Sequence, residues 1–190
     1  MFYHFSHRHT ACTVNGVVDK VILSRESRSA SQVSKESNYN GVFAPTSPVE
    51  TGALVVAVDS FLVTSLRRST DQDKNCGMVK VNAKVEVRRY RQEYNKNDNP
   101  VGKPEFKIVQ SAPGFVELIN AKLQQEKPGL LPTTTYLLRV QSSVDVRRPN
   151  DKTLQQRDRI IINNRPYQVD VIDDIEYPGL YQVQLSEDIR

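Results

Sequence analysis

The chain has 190 residues, 38% hydrophobic and 7% aromatic with no Trp, and 26 Lys and Arg against 22 Asp and Glu leave a formal charge of +4. That length sets the choice between one domain with a long insertion and two small ones, and the lean apolar content argues against a compact enzyme in favour of a thin barrel or sheet with polar excursions. The two cysteines, Cys12 and Cys76, form no disulfide framework, and neither a leader nor a membrane-spanning run is expected, so the chain reads as soluble, in a reducing compartment, with both thiols free.

The first nine residues are rich in aromatics and histidine. Asn15-Gly16 then stands between β-branched runs and predicts a hairpin with a two-residue loop. Residues 24–41 are polar and serine-rich, which suits an exposed loop or a segment that orders against a partner. Pro45 and Pro48 punctuate the next stretch, and Glu50-Thr51-Gly52 turns the chain into a strand. Residues 53–68 divide at Asp59-Ser60 into two short strands. From Val79 to Arg88 the alternation is unbroken, with Val79, Val81, Ala83, Val85 and Val87 on the core side, and a single half-buried strand is expected.

Residues 91–132 change in character. A polar connection leads to one predicted helix, with Val116, Ile119 and Leu123 at helical spacing and Pro128-Gly129 as its stop. A detour of this length with little strand character is usually functional. Deleting 95–125 from it is expected to leave the rest folded. A strand follows at 134–141. Residues 158–186 then read as three antiparallel strands, turned at Asn163-Asn164 and at Pro178-Gly179, with Tyr167, Val169 and Val171 on one face and Tyr181, Val183 and Leu185 on another.

The expected fold is all-β: a small β-barrel or sandwich with a long inserted loop containing a short helix, plus an extended N-terminal arm. The expected organisation is a hairpin and polar arm over 1–50, then a barrel over 51–190 interrupted by the loop at 91–132, with strands at 53–90 and 158–186 closing together.

Catalytic chemistry finds little footing. His4, His7 and His9 are the only histidines, and no regular strand or helix brings all three to one metal; a metal-dependent enzyme using them with a carboxylate from elsewhere is the rival reading. Cys12 reads as a buried strand cysteine because its only histidine partners lie in the same terminal segment. Asp170, Asp173, Asp174 and Glu176 form the densest carboxylate group, a conceivable hard-cation site, but Asp173-Asp174 falls where strand gives way to turn and Asp is a turn former. No catalytic, cofactor-binding or metal-binding residue and no cofactor is assigned. Arginines recur as neighbours, Arg67-Arg68, Arg88-Arg89 with Arg91, Arg147-Arg148, then Arg157 and Arg159. These read either as solvated strand ends that guard against edge aggregation or as a positive rim for a sequence-blind contact with acidic partners or nucleic acid.

One ordered set of segments resembles a known family. Phe61-Leu62-Val63-Thr64-Ser65-Leu66 is followed by Asn82 in an alternating strand that ends in Arg88-Arg89-Tyr90. The polar excursion comes next, then Gly129-Leu130-Leu131-Pro132 before TTYLLRV, and finally DRIIINNRPYQVDVIDD (158–174) and the PGLYQVQLSED ending. Over about residues 53–188 this is similar to the head-closure, or stopper, proteins of the head-to-tail connector in tailed bacteriophages. The resemblance implies a non-enzymatic virion protein of the neck, made in the host cytoplasm. It further implies a homo-oligomeric ring between the portal or adaptor above and the tail or tail terminator below, with packaged double-stranded DNA in its lumen and no membrane partner. It places the retaining loop at the excursion and makes Arg88, Arg89, Arg91, Lys96, Lys103, Lys107, Arg147 and Arg148 candidates to face DNA or a neighbouring subunit. A tail-completion or terminator ring of the same virion is the nearest alternative.

Overall fold

A computed structural model describes residues 2–25 and 37–189. The described chain is mostly strand and forms two closed six-stranded barrels. One compact unit comprises residues 1–82 with 174–180, and the other comprises 83–173 with 181–190.

In the first unit a short 3-10 segment, Phe2–Arg8, precedes β1 (Thr10–Val14), β2 (Val17–Arg25), β3 (Asn38–Phe43), β4 (Leu54–Val56), β5 (Ser60–Arg68) and β6 (Lys74–Lys80). The strand order is β1-β2-β3-β6-β5-β4, and β4 returns to β1 through the pairs Thr13↔Val56 and Val14↔Val55. The expected hairpin is present. Asn15 and Gly16 have φ of 48° and 86°, the left-handed pair that matches a hairpin loop to the twist of its strands. Asn15 also closes the barrel, because its side-chain Oδ1 accepts from Leu54 N–H at 2.9 Å while its own N–H donates to Leu54 O at 2.9 Å. Val14, Val21, Phe43, Val55, Phe61, Val63 and Met78 fill the interior with both cysteines.

The second unit contains β7 (Ala83–Tyr94), β8 (Pro100–Leu118), the short helix α1 (Ala121–Glu126), β9 (Tyr136–Gln141), β10 (Arg159–Ile162), β11 (Arg165–Asp173) and β12 (Leu180–Glu187). Its order is β10-β11-β12-β9-β8-β7, and β7 closes onto β10 over Glu86, Val87 and Arg88. Val85, Val87, Leu138, Val140, Ile160, Val169, Val183 and Leu185 form its core. Asn163 and Asn164 have φ of 48° and 63°, as the predicted hairpin requires.

The organisation differs from the sequence expectation in four places. The chain divides at 82/83, not at 50/51, so the strands at 54–80 belong to a barrel with β1–β3 and do not close with 158–186. The alternating run 79–88 is correspondingly two strands, broken at Val81-Asn82. Alternation reports which face is buried but not which partner strand lies alongside: β6 turns Cys76 and Met78 into the first core while β7 turns Val85 and Val87 into the second, so the inward row changes parity at the break although the apolar alternation runs on. The segment 91–132 is not a loop, because it holds the end of β7, all of β8 and α1. The helix begins at Ala121, where Asn120 caps it by accepting from Leu123 N–H at 2.9 Å, and Val116 lies in β8 opposite Leu138. Helical spacing over so short an apolar run does not outweigh the β-branched pairing available to it. The serine-rich expectation for 24–41 falls mostly outside the described residues, and its ends are strand in β2 and β3.

The last meander is present with one change of face. A bulge between Val169 and Val171 shifts the register of β11 against β12, so Ile172 is buried and Val171 only half-buried. Gly179, after Pro178, has φ of 79° and does more than turn the chain. Within the first unit it meets Gly52, φ 82°, so closely that a Cβ on Gly52 would stand 2.3 Å from the Gly179 carbonyl oxygen. Neither position accepts a side chain.

Candidate functional site: a two-stranded arm on the second barrel

β7 and β8 are paired from Ala83↔Gly114 out to Tyr94↔Pro100. Only the inner part of this hairpin belongs to the barrel wall, since β10 accompanies β7 at Glu86–Arg88 and β9 accompanies β8 at Phe115–Leu118. Beyond those pairings the two strands continue as a ribbon over 89–109. Nearly every residue of β8 between Pro100 and Val109 is exposed. A two-stranded ribbon is marginal by itself in water, and this one is held at its tip and its base.

At the tip, Asn95 Oδ1 accepts from the N–H groups of Asn97 at 2.9 Å and Asn99 at 3.0 Å, and Asn95 N–H donates to Asn99 O. At the base the Arg159 guanidinium lies 3.7 Å over the Phe106 ring, and Tyr90 meets that ring edge-on with centroids 5.4 Å apart. Arg159 is itself fixed by Asp188 at 2.7 Å. The outer edge of β7 is plugged: the Gln155 side chain accepts from Gln92 N–H at 2.8 Å and donates to Gln92 O at 3.0 Å, an amide standing in for a neighbouring strand.

Cross-strand partners share a face, so the register separates the arm into two surfaces. Arg91 opposes Glu105 and Lys107 lies two residues beyond Glu105 on β8, giving a charged face; the register breaks between Arg91 and Glu93, where Gly102, Lys103 and Pro104 form a bulge. Tyr90 opposes Phe106 and Arg88 opposes Ile108, giving an aromatic and aliphatic face.

The candidate residues divide accordingly. Arg91, Lys96, Lys103 and Lys107 are exposed on the arm, Lys107 with Glu105 at 3.0 Å. Arg88 is half-buried and bound to Glu86 at 2.7 Å. Arg147 and Arg148 lie on the 142–158 connection, where Arg147 bonds Thr153 and sits 3.7 Å from Asp145.

Arg89 is a correction. It is buried within the second unit's own side chains and does not reach solvent. Its Nε and Nη2 reach the two carboxylate oxygens of Asp158 at 2.9 Å each, while Nη1 and Nη2 reach those of Asp145 at 3.0 Å each. Asp158 is fully buried and also accepts from Arg147 N–H at 2.9 Å. The Asp158 bond holds the Arg89 guanidinium even more firmly protonated than usual, and Arg89 holds the Asp145 carboxyl below the ordinary carboxylate range. This cluster ties β7 to the 142–158 connection at the root of the arm. The signal for it was present, since Arg89 follows Val85 and Val87 at the same parity and therefore belongs to the inward row.

The remaining chemistry stays apart. Among the described residues no group of three His, Cys, Asp or Glu is placed to hold a metal. His9 stacks on Phe2 at 4.0 Å. Asp170 pairs with Arg157 at 2.8 Å. Cys12 and Cys76 are buried free thiols, with burial and then Asp19 pushing Cys12 up to about 11 and burial pushing Cys76 up to about 12, so neither is a nucleophile at neutral pH. No described helix is long and apolar enough to cross a membrane. In comparisons of the sequence with protein-family models and with curated proteins, nothing matches.

Proposed function

We propose that this chain is a non-enzymatic structural protein of the neck of a tailed bacteriophage, which assembles as a closed ring between the portal or adaptor and the tail and retains packaged DNA through its arm. The observation that carries the reading is the β7/β8 arm. It is a ribbon mounted on a closed barrel, exposed along β8, with Arg91, Lys96, Lys103 and Lys107 reaching solvent. The arm falls mostly within the excursion 91–132, to which the resemblance assigns the retaining loop, and a ring would supply each arm with the neighbours that a lone ribbon lacks. Cations alternating with Glu93 and Glu105 suit a sequence-blind contact with phosphates that holds DNA without gripping any one site. The one-barrel subunit implied by the resemblance is replaced here by two barrels, of which the second carries the arm. The test is to produce particles without this chain and measure their DNA content and tail attachment. The reading predicts heads that lose DNA and remain tailless, and full heads joined to tails would contradict it.

A further inference from the structure

Two Asn-Gly pairs stand in the chain, Asn15-Gly16 and Asn40-Gly41. Glycine has no side chain to shield its nitrogen and leaves the backbone free to turn, so in such a pair that nitrogen can attack the asparagine Cγ. The two sites sit differently in the first barrel. Asn40 and Gly41 lie within β3, paired to Ser24 and Leu23 of β2 on one side and to Gly77 and Cys76 of β6 on the other. Gly41 is buried, and a Cβ on it would stand 2.6 Å from Met78 Cε. Asn15 and Gly16 are exposed in the loop between β1 and β2, and a Cβ on Gly16 would meet nothing within 4 Å. Water reaches Asn15-Gly16 from outside, so its restraint is one of geometry.

That restraint is the barrel seam. β1 has β2 on one side and β4 on the other. Gly16 runs toward β2, whereas the Asn15 side chain is tied across to β4 by the bond from Leu54 N–H to its Oδ1 at 2.9 Å. Cγ is thereby kept from the close, aligned approach to the Gly16 nitrogen that attack requires. The seam is short. β4 has three residues and meets β1 at two pairs, Thr13↔Val56 and Val14↔Val55, so a local opening releases the side chain without unfolding the whole barrel.

We propose that Asn15 is a spontaneous deamidation site gated by the seam of β1 with β4, and that only one of its two products lets the seam close again. With the seam open, the Gly16 nitrogen gives its proton to hydroxide and attacks Cγ. The new C–N bond closes a five-membered imide, the Cγ–Nδ2 bond breaks, and the amide nitrogen leaves as ammonia. Water then opens the imide at one of its two carbonyls. Addition at Cγ gives an aspartate, whose carboxylate accepts from Leu54 N–H as the amide did and which tolerates the same left-handed angles. Addition at the backbone carbonyl gives an isoaspartate, in which the chain itself runs through Cγ. An extra backbone carbon then enters a loop whose two-residue length fixes the register of β1 with β2, and the acceptor for Leu54 N–H is displaced. That product leaves the first barrel open at its seam. The site is independent of the neck reading, which rests on the second barrel.

The test holds the full-length protein in warm, mildly alkaline buffer, native and in urea, and follows the peptides carrying both sites by mass spectrometry. In urea the two asparagines should convert at similar rates. In the native protein Asn15 should convert roughly a hundredfold more slowly than in urea, and Asn40 later still. Resistance of the altered bond to an aspartate-specific protease measures the isoaspartate share. In thermal melts Asn15→Asp should behave like wild type, while aged wild type should gain a lower-melting population in proportion to its isoaspartate content. Native Asn15 converting as fast as in urea, later than Asn40 or not at all, or isoaspartate-rich protein melting like Asn15→Asp, would each overturn the proposal.

Discussion

Arg89 shows how a single side chain changes role once its parity is taken seriously. Its doublet with Arg88 suggests a surface pair, yet in a strand adjacent residues face opposite ways, and only Arg88 reaches outward. The buried Arg89 serves two carboxylates, one of them with no solvent access at all. Removing the cation strands Asp158, so Arg89→Met should destabilise the second barrel by about 3–5 kcal/mol. The double variant Arg89→Met with Asp158→Leu should recover a large part of that loss, which denaturant titration of both variants will read. Asp158 looked like a strand start in the sequence and stands immediately before β10; that its carboxylate is also the anchor of β7 depends on a contact 69 positions away that no local pattern encodes. Cys12, in contrast, was legible as a buried strand residue, and Cys76 is buried in β6 as well. Their thiol pKa values are raised in the folded state from 9.0 to about 11 for Cys12 and about 12 for Cys76. The stabilisation is thus fully present below pH 9 and is lost as pH rises through the window, by about 1.4 kcal/mol per thiol for each pH unit. Replacing both cysteines with Ala should flatten the fall in stability between pH 9 and 11 relative to wild type, and an unchanged slope would show the thiols to be accessible.

At the scale of elements, local turn chemistry read well and long-range pairing did not. Asn15-Gly16, Asn163-Asn164 and Pro178-Gly179 all turn where their residues demand, because the left-handed angles are a property of those residues alone. The bulge in β11 and the passage of β7 into a second barrel arise from partners elsewhere in the chain, and alternation is blind to both. The same limit hid the arm: a polar stretch with two prolines and a glycine reads as loop, although it pairs strand to strand from Arg88 to Tyr94 with a bulge on the β8 side. The correction alters which deletion the fold tolerates. Removing 95–125 takes away Ala112 and Phe115, which are buried, and the part of β8 that pairs with β9, so that variant should lose the cooperative unfolding of the second barrel. Replacing only residues 91–105 with Asn-Gly, which joins Tyr90 to its partner Phe106 through a two-residue loop, should leave the barrel folded with a modest loss from the missing Gln92 and Gln155 bonds. Thermal melts of the two variants distinguish them.

At the scale of the whole molecule, the all-β class follows from short alternating strands and abundant turn residues, while the count of two barrels emerges only from tertiary pairing. Each barrel closes its own ladder, which removes strand edges from the wall and leaves the arm as the second unit's outward feature. The central claim is that this arm retains DNA in an assembled neck ring. The direct measurement is the DNA content of particles assembled with the chain in which 91–105 is replaced by Asn-Gly, alongside imaging of the ring. The account predicts that the shortened protein is built into the neck and that the heads lose their DNA; heads that stay full with the shortened protein in place would contradict it.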